Sequence, residues 1–482
     1  MPPPNFYQVQ LTVLALFCLA AILLERYVRR NKASPEPGRG GDSLEEAEPL
    51  NGEGSKESSK AVFSALQKNY LLVYAVVMGA DWLQGPYVYS LYKDQYEYPE
   101  RIVALLFVMG FTSAGLTAPL VGVWADKLGR RRMCLYFCIA YAAACFCTLV
   151  PFLPILLAGR VLGGFSTSIL FSCFESWLVS ASQSTGVSQA DLSTIFGQAT
   201  LVNGFVASTA GVISNELVAR TSTFTSPFML SAVLLAVSWV MIRGMWTENY
   251  GGQDATSATA DFFQISRLSQ AWQVVRRDPS LLVLGLTQTC FEGSMYLFVF
   301  LWVPSMQEAS GSSGPLPLGY IFSAFMVSMM LGSLVYTCIA SHSLPNSDPP
   351  LVLHAKLSSL ICLTASLSFA LSYSATSPQT RFWCFCVFEA CVGMYYPVQG
   401  MLKGVMISND HRATLAALFR VPLNVFVTVV MLTGVSSNRQ LVFSGCTLLL
   451  AFSSIMTSFV IVKRTTEQSS TTSNGATGLR PM

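Results

Sequence analysis

The 482-residue chain is predicted to be an all-α membrane protein, with two six-helix halves behind one extra N-terminal transmembrane helix. Three features predict this class. Hydrophobic residues make up 52% of the sequence and charged residues 11%, at a mean hydropathy of +0.49, whereas a soluble domain carries about 25% charged residues. Apolar runs of about 20 residues, the helix length that a bilayer core of about 30 Å requires, recur along the whole chain. They fall as six, a long polar break and six more, which is the pattern two internal repeats produce.

The first apolar run, 6–25, has neither a basic leading region nor a small-residue cleavage site, and it continues into Glu25-Arg26-Tyr27-Val28-Arg29-Arg30. It reads as a retained anchor (1–30) rather than a cleaved signal. Residues 31–65, rich in Pro, Gly, Ser and Glu, bury too little apolar surface to fold and read as a disordered cytoplasmic linker. The first half, 66–246, holds spans near 68–92, 101–124, 133–153, 154–179, 194–218 and 226–246. In the central loop, 247–279, Phe262, Phe263, Ile265, Leu268, Trp272 and Val275 recur at helical spacing with Arg267, Arg276 and Arg277 on other faces. That pattern predicts an amphipathic helix on the membrane surface. The second half, 280–464, holds spans near 280–304, 317–340, 350–373, 381–405, 413–435 and 440–462, before a polar tail at 465–482 expected to be disordered.

Charge sets the orientation. Arg26, Arg29, Arg30 and Lys32, then Lys127 and Arg130–Arg132, then Arg243, Arg276 and Arg277, then Lys403, Arg412, Lys463 and Arg464 fall on alternate sides of successive spans. By the positive-inside rule this side is cytoplasmic and so is the C-terminus. A net charge of +3 spread over loops implies no nucleic-acid partner. The 13 cysteines, among them Cys134, Cys138, Cys145, Cys147, Cys290, Cys362, Cys384 and Cys386, sit in apolar runs and read as packing residues or free thiols. No zinc-type spacing, nucleotide loop or histidine cluster is present, so neither a metal, a cofactor nor an enzymatic activity is expected.

One loop carries a motif. Gly122-Val-Trp-Ala-Asp126-Lys127-Leu-Gly129-Arg130-Arg131 is a basic turn wedged between two apolar spans. Gly122 is expected to let helices approach closely, Asp126 to cap a helix or pair with a base, and Gly129 to allow a tight turn. Positive-inside anchoring accounts for the arginines alone but not for these three residues. The turn resembles the loop after the second helix of the major facilitator superfamily. That resemblance implies the major facilitator fold, with this loop (Gly122, Asp126, Lys127, Gly129, Arg130, Arg131) gating an alternating-access cycle. The second-half counterpart, near Gly332–Ser341, lacks the acid and the bases.

Ionisable residues inside the spans are costly unless paired or hydrated, and so mark function. Asp81, Arg160, Glu175, Glu292, Glu389 and Arg420 are distributed over both halves. An arginine offers a planar fork of permanently charged donors suited to an oxyanion, which makes Arg160 and Arg420 candidate substrate contacts; pairing with Glu175, Glu292 or Glu389 is the alternative. Asp81, Glu175, Glu292 and Glu389 are candidate proton-coupling or ion-pair residues. Gln84, Tyr89, Ser166, Thr167 and Asn424 are candidate neutral donors.

The blocks Ala80–Tyr89, Gly159–Ser168 with Phe174–Trp177, Glu248-Asn249-Tyr250, Phe291-Glu292, Phe298–Pro304 and Phe419–Asn424 together resemble the molybdate-anion transporter family. The resemblance spans about residues 68–460. It implies uptake of a small inorganic anion, molybdate, across the plasma membrane by a carrier embedded in the bilayer, working as a monomer. Protons are a candidate coupling ion, since a dianion entering a negative-inside cell meets about 2.3 kcal/mol per charge per 100 mV. Another solute (sulfate, a sugar or an amine) and a non-transporting membrane scaffold stay open as alternatives.

Overall fold

The computed structural model describes residues 5–32, 52–250, 272–273, 275–311, 315–341, 350–407, 412–433 and 438–464. Among these, the regular structure is helical. The long helices are α1 (Phe6–Lys32), α2 (Gly52–Trp82), α3 (Glu100–Leu128), α4 (Arg130–Cys147), α5 (Leu153–Leu170), α6 (Cys173–Thr185), α7 (Gln189–Thr221) and α8 (Ser226–Met245). They continue with α9 (Pro279–Ser310), α10 (Leu318–Ser341), α11 (Pro350–Ser374), α12 (Pro378–Met406), α13 (Arg412–Thr433) and α14 (Arg439–Met456). Ten helices among the described residues are long and apolar enough to cross a membrane. Leu116, Phe205, Leu448 and Phe459 stand exposed on such spans, a surface that lipid but not water would cover.

Several boundaries differ from expectation. Helix α2 begins at Gly52, inside the stretch read as linker. Val62, Phe63 and Leu66 fall within one helical turn there and extend the apolar face of the span beyond Lys60, where composition alone signals disorder. Residues 33–51, the tail 465–482, and Phe262, Phe263, Ile265, Arg267 and Leu268 of the amphipathic stretch lie outside the described residues. The span read as 68–92 ends at Trp82; the chain turns through Leu83–Tyr87 and resumes in a short helix at Val88–Ser90 and a π-turn at Leu91–Gln95. Pro86, lacking an N–H, follows Gly85 at this break. The span read as 154–179 is two helices, α5 and α6, interrupted at Phe171–Ser172.

Contacts divide the chain into two compact units: residues 1–85 with 116–255, and 86–115 with 256–482. In the first, α4 packs on α5 and α8, and α2 on α7 and α8. Gly159 makes the α4–α5 approach possible, since a Cβ there would lie 2.7 Å from Cys147 Cβ. Polar clasps join α2 to α7, through Gln67 with Gln198 and Trp82 Nε1 donating to Asn203 Oδ1 at 2.8 Å.

In the second unit α12 lies against α10 and α11, and α9 against α13. The α10–α12 crossing is backbone on backbone. A Cβ at Gly332 would overlap the Ala390 carbonyl, a Cβ at Gly393 would overlap the Met329 carbonyl, and Ser333 Oγ donates to Gly393 O at 3.0 Å. Gly332, at the second-half counterpart of the basic turn, is thus explained by packing. Phe298, Phe325, Phe369, Phe385 and Phe388 fill the core with mutual ring contacts at centroid distances of 4.4–6.3 Å. All 13 cysteines are free thiols, with Cys338 exposed and Cys147 half-buried.

Candidate functional site

The basic turn is built around a helix start. Gly129, at φ 102°, is the residue before α4, a conformation that disfavours any side chain. Arg130 Nη2 pairs with Asp126 Oδ1 at 3.0 Å, and its Nη1 donates to Ser176 O at 3.1 Å. The cap of α4 is Glu248, not Asp126. Glu248 Oε1 accepts from the Arg131 backbone N–H at 2.9 Å and Oε2 from that of Arg132 at 3.2 Å. A carboxylate there satisfies two orphan donors and faces the positive end of the helix dipole. The segment carrying Glu248 is stitched down along its length. Arg130 N–H donates to Asn249 O at 3.0 Å, Asn249 Nδ2 to Trp177 O at 3.0 Å, and Trp177 Nε1 to Thr247 O at 2.8 Å. Trp177 and Trp246 stack at 3.8 Å.

Gly122 departs from its expected role: a Cβ there would meet nothing within 4 Å, so no close helix approach depends on it. Lys127 is exposed. Glu248 and Asn249 are visible in the sequence as one of the resembling blocks. Their contact with a turn 117 residues away is not. Replacing Glu248 with Ala should destabilise the protein by about 1 kcal/mol, the usual worth of a helix cap. A lowered melting temperature in detergent checks this, and an unchanged one would refute the capping role.

Deeper in the first unit, Tyr141 donates to Asp81 Oδ1 at 2.7 Å. Gln84 Nε2 donates to Ser231 Oγ at 2.9 Å, and Ser231 Oγ to Ala80 O at 2.5 Å. Arg160, half-buried on α5, lies within electrostatic reach of Tyr141. Ser166 and Thr167 bond back to carbonyls of their own helix, Leu162 O at 2.8 Å and Gly163 O at 3.0 Å, and Ser166 is fully buried. Glu175, read from the sequence as an embedded charge and a partner for Arg160, is exposed and forms no ion pair among the described residues. It follows the turn at Phe171–Ser172, within an apolar stretch, Leu153–Thr185, long enough to cross a membrane.

The second unit assembles a polar cluster from three helices. Gln288, Glu292 and Tyr296 share one face of α9 at four-residue spacing, and Tyr395, Gln399 and Lys403 do the same on α12. Gln288 Nε2 donates to Glu292 Oε2 at 3.3 Å and Tyr395 OH to Glu292 Oε1 at 3.4 Å. Arg420 and Lys403 both act electrostatically on this carboxylate. Neither cation makes a hydrogen bond or ion pair of its own among the described residues. Phe419 and Phe426 fix the register of α13. Cβ atoms at Gly285 and Gly293 would lie 2.5 and 2.7 Å from these rings, so a methyl at either position would have to push a ring of α13 aside. Asn424, half-buried, sits over Gly115, where a Cβ would lie 2.9 Å from Asn424 Nδ2.

Lys403 belongs to this cluster although its sequence position suggests a basic loop; it lies inside α12 and is half-buried. Glu389, 6% exposed on α12, has no hydrogen bond or ion pair among the described residues. Tyr89 stands apart from the cluster. It donates to Glu100 Oε1 at 3.4 Å, at the start of α3, where Arg439 Nη2 also meets Glu100 at 3.2 Å and Arg439 Nη1 meets Glu308 at 3.4 Å. Glu308 ends α9 and Arg439 begins α14, so Tyr89 serves the opposite end of these helices from Lys403 and Arg420.

Comparison with known proteins follows the same lines. A family model described as "Sugar transporters, 12 TM" matches residues 50–379. A molybdate-anion transporter of Xenopus laevis is 32% identical over 414 residues, covering 84% of this chain and 88% of that protein. One of Takifugu rubripes is 31% identical over 447 residues, covering 85% and 91%. Among solved structures, a mutant of the nucleoside transporter NupG superposes with a TM-score of 0.66 at 12% identity, covering 83% of this chain and 99% of that one, a likeness of fold.

Proposed function

Because the chain belongs to the molybdate-anion transporter family of the major facilitator superfamily, we propose that it carries molybdate across a membrane by alternating access. It is a transporter, not an enzyme, built as a multi-pass membrane protein. The structural observation that supports an anion as cargo is Arg420: a guanidinium on a membrane helix that has no hydrogen-bonding partner of its own among the described residues and faces a polar cluster. Its planar fork matches two oxygens of a tetrahedral oxyanion, and Asn424, one turn on, offers a neutral amide. The bonds of Ser166, Thr167 and Tyr89 within their own surroundings argue against a role for them in holding the ion.

The turn at Asp126–Arg131, capped by Glu248, is the gate, and its end of the helices faces the cytoplasm together with the C-terminus. The membrane is the plasma membrane, and the working unit is a monomer. Uptake of a dianion against a negative-inside potential is compensated by protons, with Asp81, Glu292 and Glu389 as the embedded carboxylates available to accept them.

The test is molybdenum accumulation in cells lacking their own carrier. Expression should raise accumulation above empty vector, more so as the external pH falls, and sulfate should compete because it shares shape and charge. No gain at confirmed surface expression would overturn the reading. Competition by hexoses but not by sulfate would favour a sugar carrier, in keeping with the description of the matching family model.

A further inference from the structure

We propose that Lys403 is the second cation of the oxyanion site, acting with Arg420, and that Glu292 is the counter-ion the two share until a dianion replaces it. This rests on the anion reading above and assigns a role to a residue that sequence position places in a loop. Three observations carry it. Lys403 lies within α12, one turn before its end at Met406, and is half-buried. Its ammonium has three donors, Arg420 has five, and among the described residues none of the eight is spent on a hydrogen bond or a close ion pair. Both cations act on Glu292 and on each other.

Charge balance favours a dianion here. Two cations of like sign placed together repel, and partial burial deprives Lys403 of some of its hydration. A single carboxylate offsets only one of them, leaving the cluster at +1. Tyr296, Tyr395 and Tyr396 are the other titratable groups within its field, together with Glu389 through Tyr396. A dianion with two positive charges balances to zero once Glu292 is displaced or neutralised. Glu292 is suited to leave, because its hydrogen bonds to Gln288 and Tyr395 are long, at 3.3 and 3.4 Å. Lysine suits the second position because its flexible four-carbon stem carries a point charge that can follow the ion, whereas Arg420 fixes the ion's orientation. The competing role for Lys403 is an interfacial anchor whose stem packs on the helix and whose head reaches water.

Two measurements separate these roles. In transporter-deficient cells at matched surface level, Lys403→Ala should raise the KM for molybdate by about tenfold or more, the effect of losing about 1.4 kcal/mol of binding. Lys403→Arg should retain most of the affinity. Glu292→Gln should lower KM, and adding it to Lys403→Ala should recover part of the loss, because it restores the net charge of the site. An unchanged KM in Lys403→Ala, or a double variant no better than the single, would overturn the proposal. Thermal stabilisation of the purified full-length protein by molybdate, tungstate and sulfate provides the second readout. Stabilisation by any dianion that Lys403→Ala abolishes supports the two-cation site even if molybdate uptake itself fails. Stabilisation that survives Lys403→Ala overturns the site alone, and no stabilisation by any dianion overturns both the site and the anion reading.

Discussion

Arg420→Ala should reduce molybdate uptake by about a hundredfold or more while leaving the protein folded and at the cell surface. Charge-assisted hydrogen bonds contribute about 1.5–3 kcal/mol each, and two to one guanidinium therefore amount to at least two decades of affinity. The structure indicates that the loss will be functional rather than structural. Arg420 is exposed and holds no neighbour by a hydrogen bond among the described residues, while the register of α13 is set by Phe419 against Gly285 and by Phe426 against Gly293. Arg420→Lys should retain charge but lose the fork, giving an intermediate KM. Uptake kinetics with surface biotinylation check both variants. Normal KM in Arg420→Ala would remove this residue from the binding site, and loss of surface protein before loss of affinity would make it structural.

The second large effect concerns packing. Gly393→Ala should prevent the second unit from assembling, because a single methyl at this position overlaps the Met329 carbonyl and crowds Ser333 N at 3.1 Å. Neither neighbour is the movable end of a side chain; relief requires α10 and α12 to separate. Overpacking of flexible cores costs about 1–3 kcal/mol, and a backbone contact, with no rotamer to relax, should cost more. Gly332→Ala meets the Ala390 backbone and should behave alike, whereas Gly400→Ala, on the same helix as Gly393 with nothing within 4 Å, is the matched control. Monodisperse elution in fluorescence-detected size-exclusion chromatography is the readout. A Gly393→Ala protein that elutes and melts like the parent would show that the crossing is looser than described.

The embedded-charge rule picks out Arg420, Glu292, Asp81 and Glu389 from the sequence, because a charge in an apolar run is conspicuous whatever its surroundings. It passes over Lys403, whose place near the end of a span gives it the appearance of an anchoring base. It also offers Glu175 as a partner for Arg160, yet Glu175 is exposed and forms no ion pair among the described residues, which hydropathy cannot foresee. The basic turn is legible as a motif. Of the two roles its spacing allows Asp126, a helix cap or a pair with a base, the structure has the pair with Arg130, while Glu248 outside the motif caps α4. Local spacing can suggest a cap; it cannot show which of several carboxylates reaches the orphan N–H groups.

By itself, the sequence determined that this chain is a helical membrane protein of the major facilitator type, and it singled out most of the charges that interrupt its apolar runs. Both follow from hydropathy, helix length and a motif of ten consecutive residues, which need no knowledge of neighbours in space. Only the tertiary structure decided which neighbours those charges meet. It placed Lys403 and Arg420 about one carboxylate, bound Tyr89 to the cluster of Glu100 and Arg439, and showed Gly122 open where Gly332 and Gly393 are closed. Such partnerships join residues far apart in the chain, and they are set by how helices cross, which no local pattern encodes.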